Sequence, residues 1–119
     1  MKKTLFILLA MATLASAIEY GNASFYSIKS NRGTTTASGE RLSDSKLTAA
    51  HKTLPFGTIV DVKCVKTGKS VKVKINDNGP HVKGRIIDLS KAAAQKLGII
   101  NRGIAKVKVS VVSLGKGRR

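Results

Sequence analysis

Two stretches of this chain alternate apolar and polar side chains with a period of two residues. Val71, Val73 and Ile75 interleave with Lys72, Lys74 and Asn76, and Ala105, Val107, Val109 and Val111 interleave with Lys106, Lys108 and Ser110. A helix turning every 3.6 residues cannot gather such a series on one side, whereas a strand does so by its pleat. Both stretches therefore read as half-buried strands, apolar inward and polar or cationic outward. Thr58 to Val65 is a third run, with Val60, Val62 and Cys64 on one face. The turn Lys66-Thr-Gly-Lys69 links it to the first stretch, and Gly68 supplies the positive φ of a hairpin. Arg85 to Leu89 and Gly21 to Ser27 are further strand candidates. One helix is expected over Lys91 to Leu97, capped by Ser90 and stopped by Gly98. Short strands with a single short helix imply a mainly β, closed barrel, because closure removes exposed edges.

The 119 residues allow one domain. Residues 1–17 read as a signal peptide: Lys2 and Lys3 precede an apolar stretch from Leu5 to Leu14, and Ala15-Ser-Ala17 offers the small residues of a cleavage site. That stretch is shorter than the ~20 residues a membrane-crossing helix needs. The expected product starts near Ile18, is exported to the periplasm or beyond, and carries no transmembrane anchor. Removing Lys2 and Lys3 takes two from the net charge of +16, leaving +14. Such a field attracts polyanions, and export makes envelope polymers better candidates than intracellular nucleic acid. The lone Cys64 excludes an internal disulfide, and neither it nor the dispersed His51 and His81 suggests a metal site. A phosphate loop and a nucleophile elbow are both missing, and aromatics at 4% make a poor base-stacking platform. No cofactor is expected, and a monomer is.

Only six acidic residues are available for acid–base chemistry. Glu19 near the new N-terminus, Asp61 on a lysine-bearing strand and Asp44 in a Ser-Asp-Ser turn each read as solvated or turn residues. Asp77 ends a strand before Asn-Gly-Pro80, at the rim where a rigid barrel can present a side chain to a ligand. On residue type alone a turn-forming aspartate is the slightly commoner outcome. Glu40 follows Gly39 in a polar loop, a common place for a surface charge. Asp88 lies among Ile86, Ile87 and Leu89, close to a helix start whose dipole favours an acid. His51 closes a small-residue segment, where a structural histidine is the commoner outcome.

Taken together, Ala23-Ser-Phe-Tyr26, Thr36-Ala-Ser-Gly-Glu40, Leu47-Thr-Ala-Ala-His51, Leu54-Pro-Phe-Gly-Thr58, Ile75-Asn-Asp77, Gly79-Pro80 and Arg85-Ile-Ile-Asp-Leu-Ser90 resemble the barrel domain of the rare lipoprotein A family. The match runs in order through residues 18–113, leaving 114–119 as a basic tail too brief to fold. The resemblance implies a six-stranded double-psi β-barrel with pseudo-twofold symmetry, one or two short helices and a cleft. It also implies a lytic transglycosylase that cuts peptidoglycan glycan endolytically, prefers strands lacking stem peptides and leaves anhydro-muramyl ends. The residues implied to carry activity are Asp77, His51 and Glu40, with Phe25, Tyr26, Ser38, Asn76 and Asn78 toward the glycan. On this reading Asp77 is the proton donor and His51 orients it or the substrate.

The chain departs from the family pattern in having Phe25 where Trp is frequent and Asn78 where Arg is usual. No cysteine stands at the cleavage site, so no lipid anchor is expected, and no peptidoglycan-binding repeat is expected beside the barrel. Asp88 is the alternative acid, because related barrels in expansins and some cellulose-degrading enzymes resemble this segment. The rival functions are an expansin-like barrel that holds glycan without cutting it and a general polyanion binder, which steep salt dependence would reveal.

Overall fold

The computed structural model describes residues 17–26 and 35–117. The proposed signal peptide therefore lies outside the described residues except for Ala17, as do Ser27, Gly33, Arg118 and Arg119.

Six strands and one helix follow in the order β1 (Ile18–Phe25), β2 (Thr48–His51), β3 (Ile59–Cys64), β4 (Ser70–Asp77), β5 (Arg85–Leu89), α1 (Lys91–Leu97) and β6 (Ala105–Ser113). The strands close into a barrel in the order β1-β5-β2-β4-β3-β6. β1 with β5 and β2 with β4 are parallel, and the other four ladders are antiparallel. Exchanging β1, β2 and β3 for β4, β5 and β6 maps every ladder onto another or onto itself. This is the pseudo-twofold topology of a double-psi barrel.

The alternating segments face as expected. Val60, Val62, Cys64, Val71, Val73, Ile75, Val107 and Val109 point into one core, joined by Ile87 and Leu89 of β5 and by Leu97 and Ile99 at the helix end. Full burial of a Val, Leu or Ile contributes about 1.5–3 kcal/mol, so this core carries a fold whose single cysteine stays a buried thiol. Gly68 takes φ 78° in the β3–β4 hairpin. The helix begins where Ser90 Oγ accepts from Ala93 N and ends where Gly98 adopts φ 80°, donating to the carbonyls of Ala94 and Gln95. Ser90 Oγ also donates to Lys46 O at 2.6 Å, fastening the helix start to the entry of β2.

Four features differ from the expectation. β1 begins at Ile18 rather than Gly21. β2 has no alternation to betray it, since all four residues are buried between β4 and β5. Asn76 continues the outward series in sequence but is only 3% exposed. Ala49 pairs with Ile75 and Ala50 with Asp77, so Asn76 is an extra residue that breaks the pleat. Finally, the basic tail, expected to be too brief to fold, makes backbone contacts through residue 117: Gly115 N donates to Thr58 Oγ1 and Gly117 N to Phe56 O. A Cβ on Gly115 would collide with the backbone of Phe56, Gly57 and Thr58, so only glycine permits this approach.

Candidate active site

Strand register, more than sequence proximity, assembles the acidic groups. Ser24 of β1 pairs with Asp88 of β5, Asp88 with Ala50 of β2, and Ala50 with Asp77 of β4. These four residues form one row across the outside of the barrel. Strands lie ~4.8 Å apart, so the Cα atoms of Asp77 and Asp88 are roughly 10 Å apart with only the methyl of Ala50 between them. The small residue leaves a floor, and the carboxyls flank it. A groove of about 240 Å³ results, lined by Tyr26, Thr35, Leu42, Ala50, Asp77, Asn78, Gly79, Pro80, His81 and Asp88.

The two acids are held differently. Burial pushes the Asp88 carboxyl above the usual range. The Ser24 hydroxyl, which donates to Oδ1 at 3.0 Å, and the Arg85 charge work against that shift, and the Asp77 charge reinforces it. Asp88 is thus the group in the groove biased toward its neutral form. Asp77 Oδ1 accepts from the backbone N–H of Ala37 and of Asn78, both at 2.9 Å. The first of these bonds ties the Thr36–Glu40 loop to the end of β4, helped by Ser38 N donating to Asn76 O. Tyr26 is buried with its hydroxyl 3.1 Å from Thr48 Oγ1. Burial raises its phenol pKa, the Thr48 bond opposes that, and the charges of Asp77, Asp88 and Asp44 add to it.

Glu40 does not join this pair. Its Oε2 lies 2.6 Å from Lys74 Nζ, and that bond, with the Asn76 amide assisting, holds its carboxyl below the usual range. It is a committed anion at the rim. Ser38 serves the same loop, its hydroxyl lying 2.9 Å from Thr36 Oγ1 and accepting from Glu40 N.

His51 lies elsewhere. On β2 it follows Ala50, so its side chain takes the opposite face. Its register partner is the core residue Ile87, whereas Ala50 faces Asp88. The imidazole lines the open mouth of the barrel, a cavity of about 300 Å³ with Ile18, Glu19, Thr53, Leu54, Val109 and Val111. Its Nδ1 accepts from the N–H of Thr53 and of Leu54 at 3.1 and 3.2 Å, which leaves the ring proton on Nε2, 3.0 Å from Glu19 Oε1. Glu19, expected to be solvated, is therefore a partner of His51.

Of the expected substrate residues, Asn78 and Tyr26 line the groove. Phe25 does not, because it pairs with Leu89 and packs against the core. Asn76 is buried behind the groove, and its Oδ1 has no partner among the described residues. His81 and Ala50 also line the groove, and Ile87 and Leu89 facing inward already require Asp88, and with it its cross-strand neighbour, to face outward. Among the described residues no three His, Cys, Asp or Glu side chains gather to hold a metal ion.

A family model described as lytic transglycolase matches residues 18–109. The endolytic peptidoglycan transglycosylase RlpA of Neisseria meningitidis serogroup A is 48% identical over 103 residues, covering 87% of this chain and 43% of that protein. The protein of the same name from Vibrio cholerae is 46% identical over 98 residues, covering 82% and 37%. The chain thus spans less than half the length of these curated relatives. Among solved structures, the expansin of Clavibacter michiganensis superposes with TM-score 0.63 at 25% identity, covering 84% of this chain and 52% of that one. A point variant of that expansin, solved in complex with cellohexaose, gives the same score over 85% and 53%. The Streptomyces papain inhibitor, at TM-score 0.65 and 24% identity over 80% and 94%, shares the fold.

Proposed function

Since this chain belongs to the lytic transglycolase family, we propose that it cleaves peptidoglycan glycan strands by lytic transglycosylation in the Asp77–Asp88 groove. The observation that carries the reading is the pair itself: two carboxyls across one alanine, with Asp88 pushed by burial toward its neutral form and Asp77 held by two backbone N–H groups. The similarity to curated transglycosylases and to a sugar-bound expansin supports a glycan in this groove.

Non-hydrolytic cleavage needs one proton delivered and one removed. Asp88 gives its proton to the glycosidic oxygen as the bond from that oxygen to the muramyl C1 breaks, and the ring oxygen shares the developing positive charge. The C6 hydroxyl of the same muramyl residue then bonds to C1, and Asp77 accepts its proton. The products are a free hydroxyl on one fragment and a 1,6-anhydro ring on the other, with no water consumed. The sequence suggests Asp77 as donor. Burial at Asp88 and the two backbone donors to Asp77 favour the reverse allocation. Glu40, bound to Lys74, and Ser38 hold the Asp77 loop. Asn76 lies beneath it, and Asn78 and Tyr26 contact sugar. His51 lies outside the groove and holds the 52–54 loop, so its contribution is to the fold. A groove of about 240 Å³ suits unbranched sugar rings, in keeping with a preference for strands lacking stem peptides. Such a substrate places the protein outside the cytoplasm.

Digestion of intact and peptide-stripped glycan followed by mass spectrometry tests the proposal. Anhydro-muramyl ends, more abundant from stripped strands, are expected. Reducing ends would make the protein a hydrolase, and intact glycan would make it a binder.

A further inference from the structure

Opposite the acidic row, the outer wall formed by β1, β6 and β3 has a different composition. Register places Tyr20 beside Lys108 and Lys108 beside Lys63, with Lys106 one step along β6 and opposite Asn22. Like charges set directly across a ladder destabilise a sheet. Among the described residues no carboxylate pairs with Lys63, Lys106 or Lys108. Asp61, the one acid on this wall, stands opposite Ser110 and Lys72. The fold therefore carries two directly opposed lysines without an ion-pair partner, Asp61 lying two residues from Lys63 on the same face. Around the lysines stand exposed apolar side chains: Tyr20, Val65 and Val112, each about half exposed or more.

We propose that this wall docks the barrel on an anionic phospholipid surface, leaving the groove free on the other side. Every cation on the three strands is a lysine, a compact charge on a flexible stem. Arginine would suit bidentate capture of one phosphate, whereas lysines suit a diffuse sheet of charge. The apolar residues favour a lipid over a soluble polyanion, because a tyrosine flanked by lysines seats its ring at headgroup level with the stems lying along it. A polyphosphate or nucleic acid chain would leave them in water.

The test is co-sedimentation of the full chain with vesicles of phosphatidylcholine alone or mixed with phosphatidylglycerol, over a salt series. All variants share residues 1–17, so any contribution of that segment is common to them. Binding is expected to be stronger with phosphatidylglycerol than with phosphatidylcholine alone, and to fall toward the phosphatidylcholine level as salt rises. Each lysine near such a surface contributes about fivefold in partitioning, so Lys63→Gln with Lys108→Gln should lower it roughly 25-fold. The melting temperature should not fall, because a repulsive pair has been removed. Tyr20→Ser should lower binding further, by a factor that salt does not change. Lys91→Gln with Lys96→Gln, the same loss of charge on α1, should leave most binding intact. An equal loss from the two lysine pairs would reduce the effect to net charge and overturn the proposal. So would binding to inorganic polyphosphate that matches the vesicles and ignores Tyr20→Ser.

Discussion

The two sides of the barrel use different strand pairings and carry opposite chemistry. The groove side holds both parallel ladders, β1 with β5 and β2 with β4, and each has a register shift, at Asn22/Ala23 and at Ala49/Ala50. Its two central strands, β5 and β2, are short, with five and four residues, and Asp77 and Asp88 face the same space. The wall side is antiparallel throughout, with lysines outside and valines inside, and its register shift, at Ile59/Val60, lies at the end of β3 away from Lys63 and Lys108. A regular pleat presents a repetitive surface, whereas a bulge can re-aim one side chain. Chemistry requiring two unlike carboxyls in one place therefore sits where the pleat is broken, and a diffuse charge sits where it is not.

The largest effect that could break this contrast is at the row of acids. Asp88→Asn should lower glycan cleavage by about 10²–10⁴-fold, the usual contribution of a positioned acid. Stability at neutral pH should hold or rise. The Asp88 carboxyl is raised in the folded state, so ionising it destabilises the fold progressively as pH climbs from the unfolded value through the folded one. Asparagine removes that penalty. Loss of cleavage together with collapse of the melting temperature would instead make Asp88 a structural residue. Asp77→Asn should cost about 10²-fold and also move the pH profile. Activity requires protonated Asp88 and so declines on the alkaline side. Without the negative charge of Asp77, Asp88 ionises more easily, and that decline should shift to lower pH. A profile that keeps its alkaline limb would separate the two carboxyls functionally.

His51 sharpens the comparison because it belongs to neither side. His51→Ala leaves the N–H groups of Thr53 and Leu54 without their acceptor and Glu19 without its partner. Stability should fall by about 1–3 kcal/mol, read by denaturant titration, while cleavage per folded molecule changes little. The opposite outcome, full stability with lost turnover, would bring the imidazole into the groove chemistry.

How much of this could be read from residues follows the same division. On the wall, one face is dry and the other wet, so Val107, Lys108 and Val109 announce their directions. The helix was equally plain, because Ser90 and Gly98 have the capping chemistry its two ends need. The groove side was harder. Thr48–His51 is covered on both faces, and a strand without a wet face shows no period. The bulge at Asn76 reverses a direction that alternation alone would assign. The row Ser24–Asp88–Ala50–Asp77 depends on which strands are neighbours, information that no local pattern contains. The motif resemblance supplied Asp77 and the fold, but it also grouped His51 with Asp77. Register separates them, since adjacent residues of a strand face opposite ways.

The smallest expected effect tests whether the wall belongs to the fold or to something outside it. Lys63 faces Lys108 directly. If the pair is tolerated only for a partner, Lys63→Gln should stabilise the free protein by roughly 0.2–1 kcal/mol, the range of cross-strand pair effects. The gain should shrink with added salt, because two exposed charges are screened over ~8 Å at physiological ionic strength. Urea titrations at low and high salt resolve both quantities. A loss of stability in place of a gain, insensitive to salt, would mean that the Lys63 stem packs along its neighbours and contributes through its methylenes. The lysine pair would then need no partner to explain it, and the contrast between the two sides would rest on the acids alone.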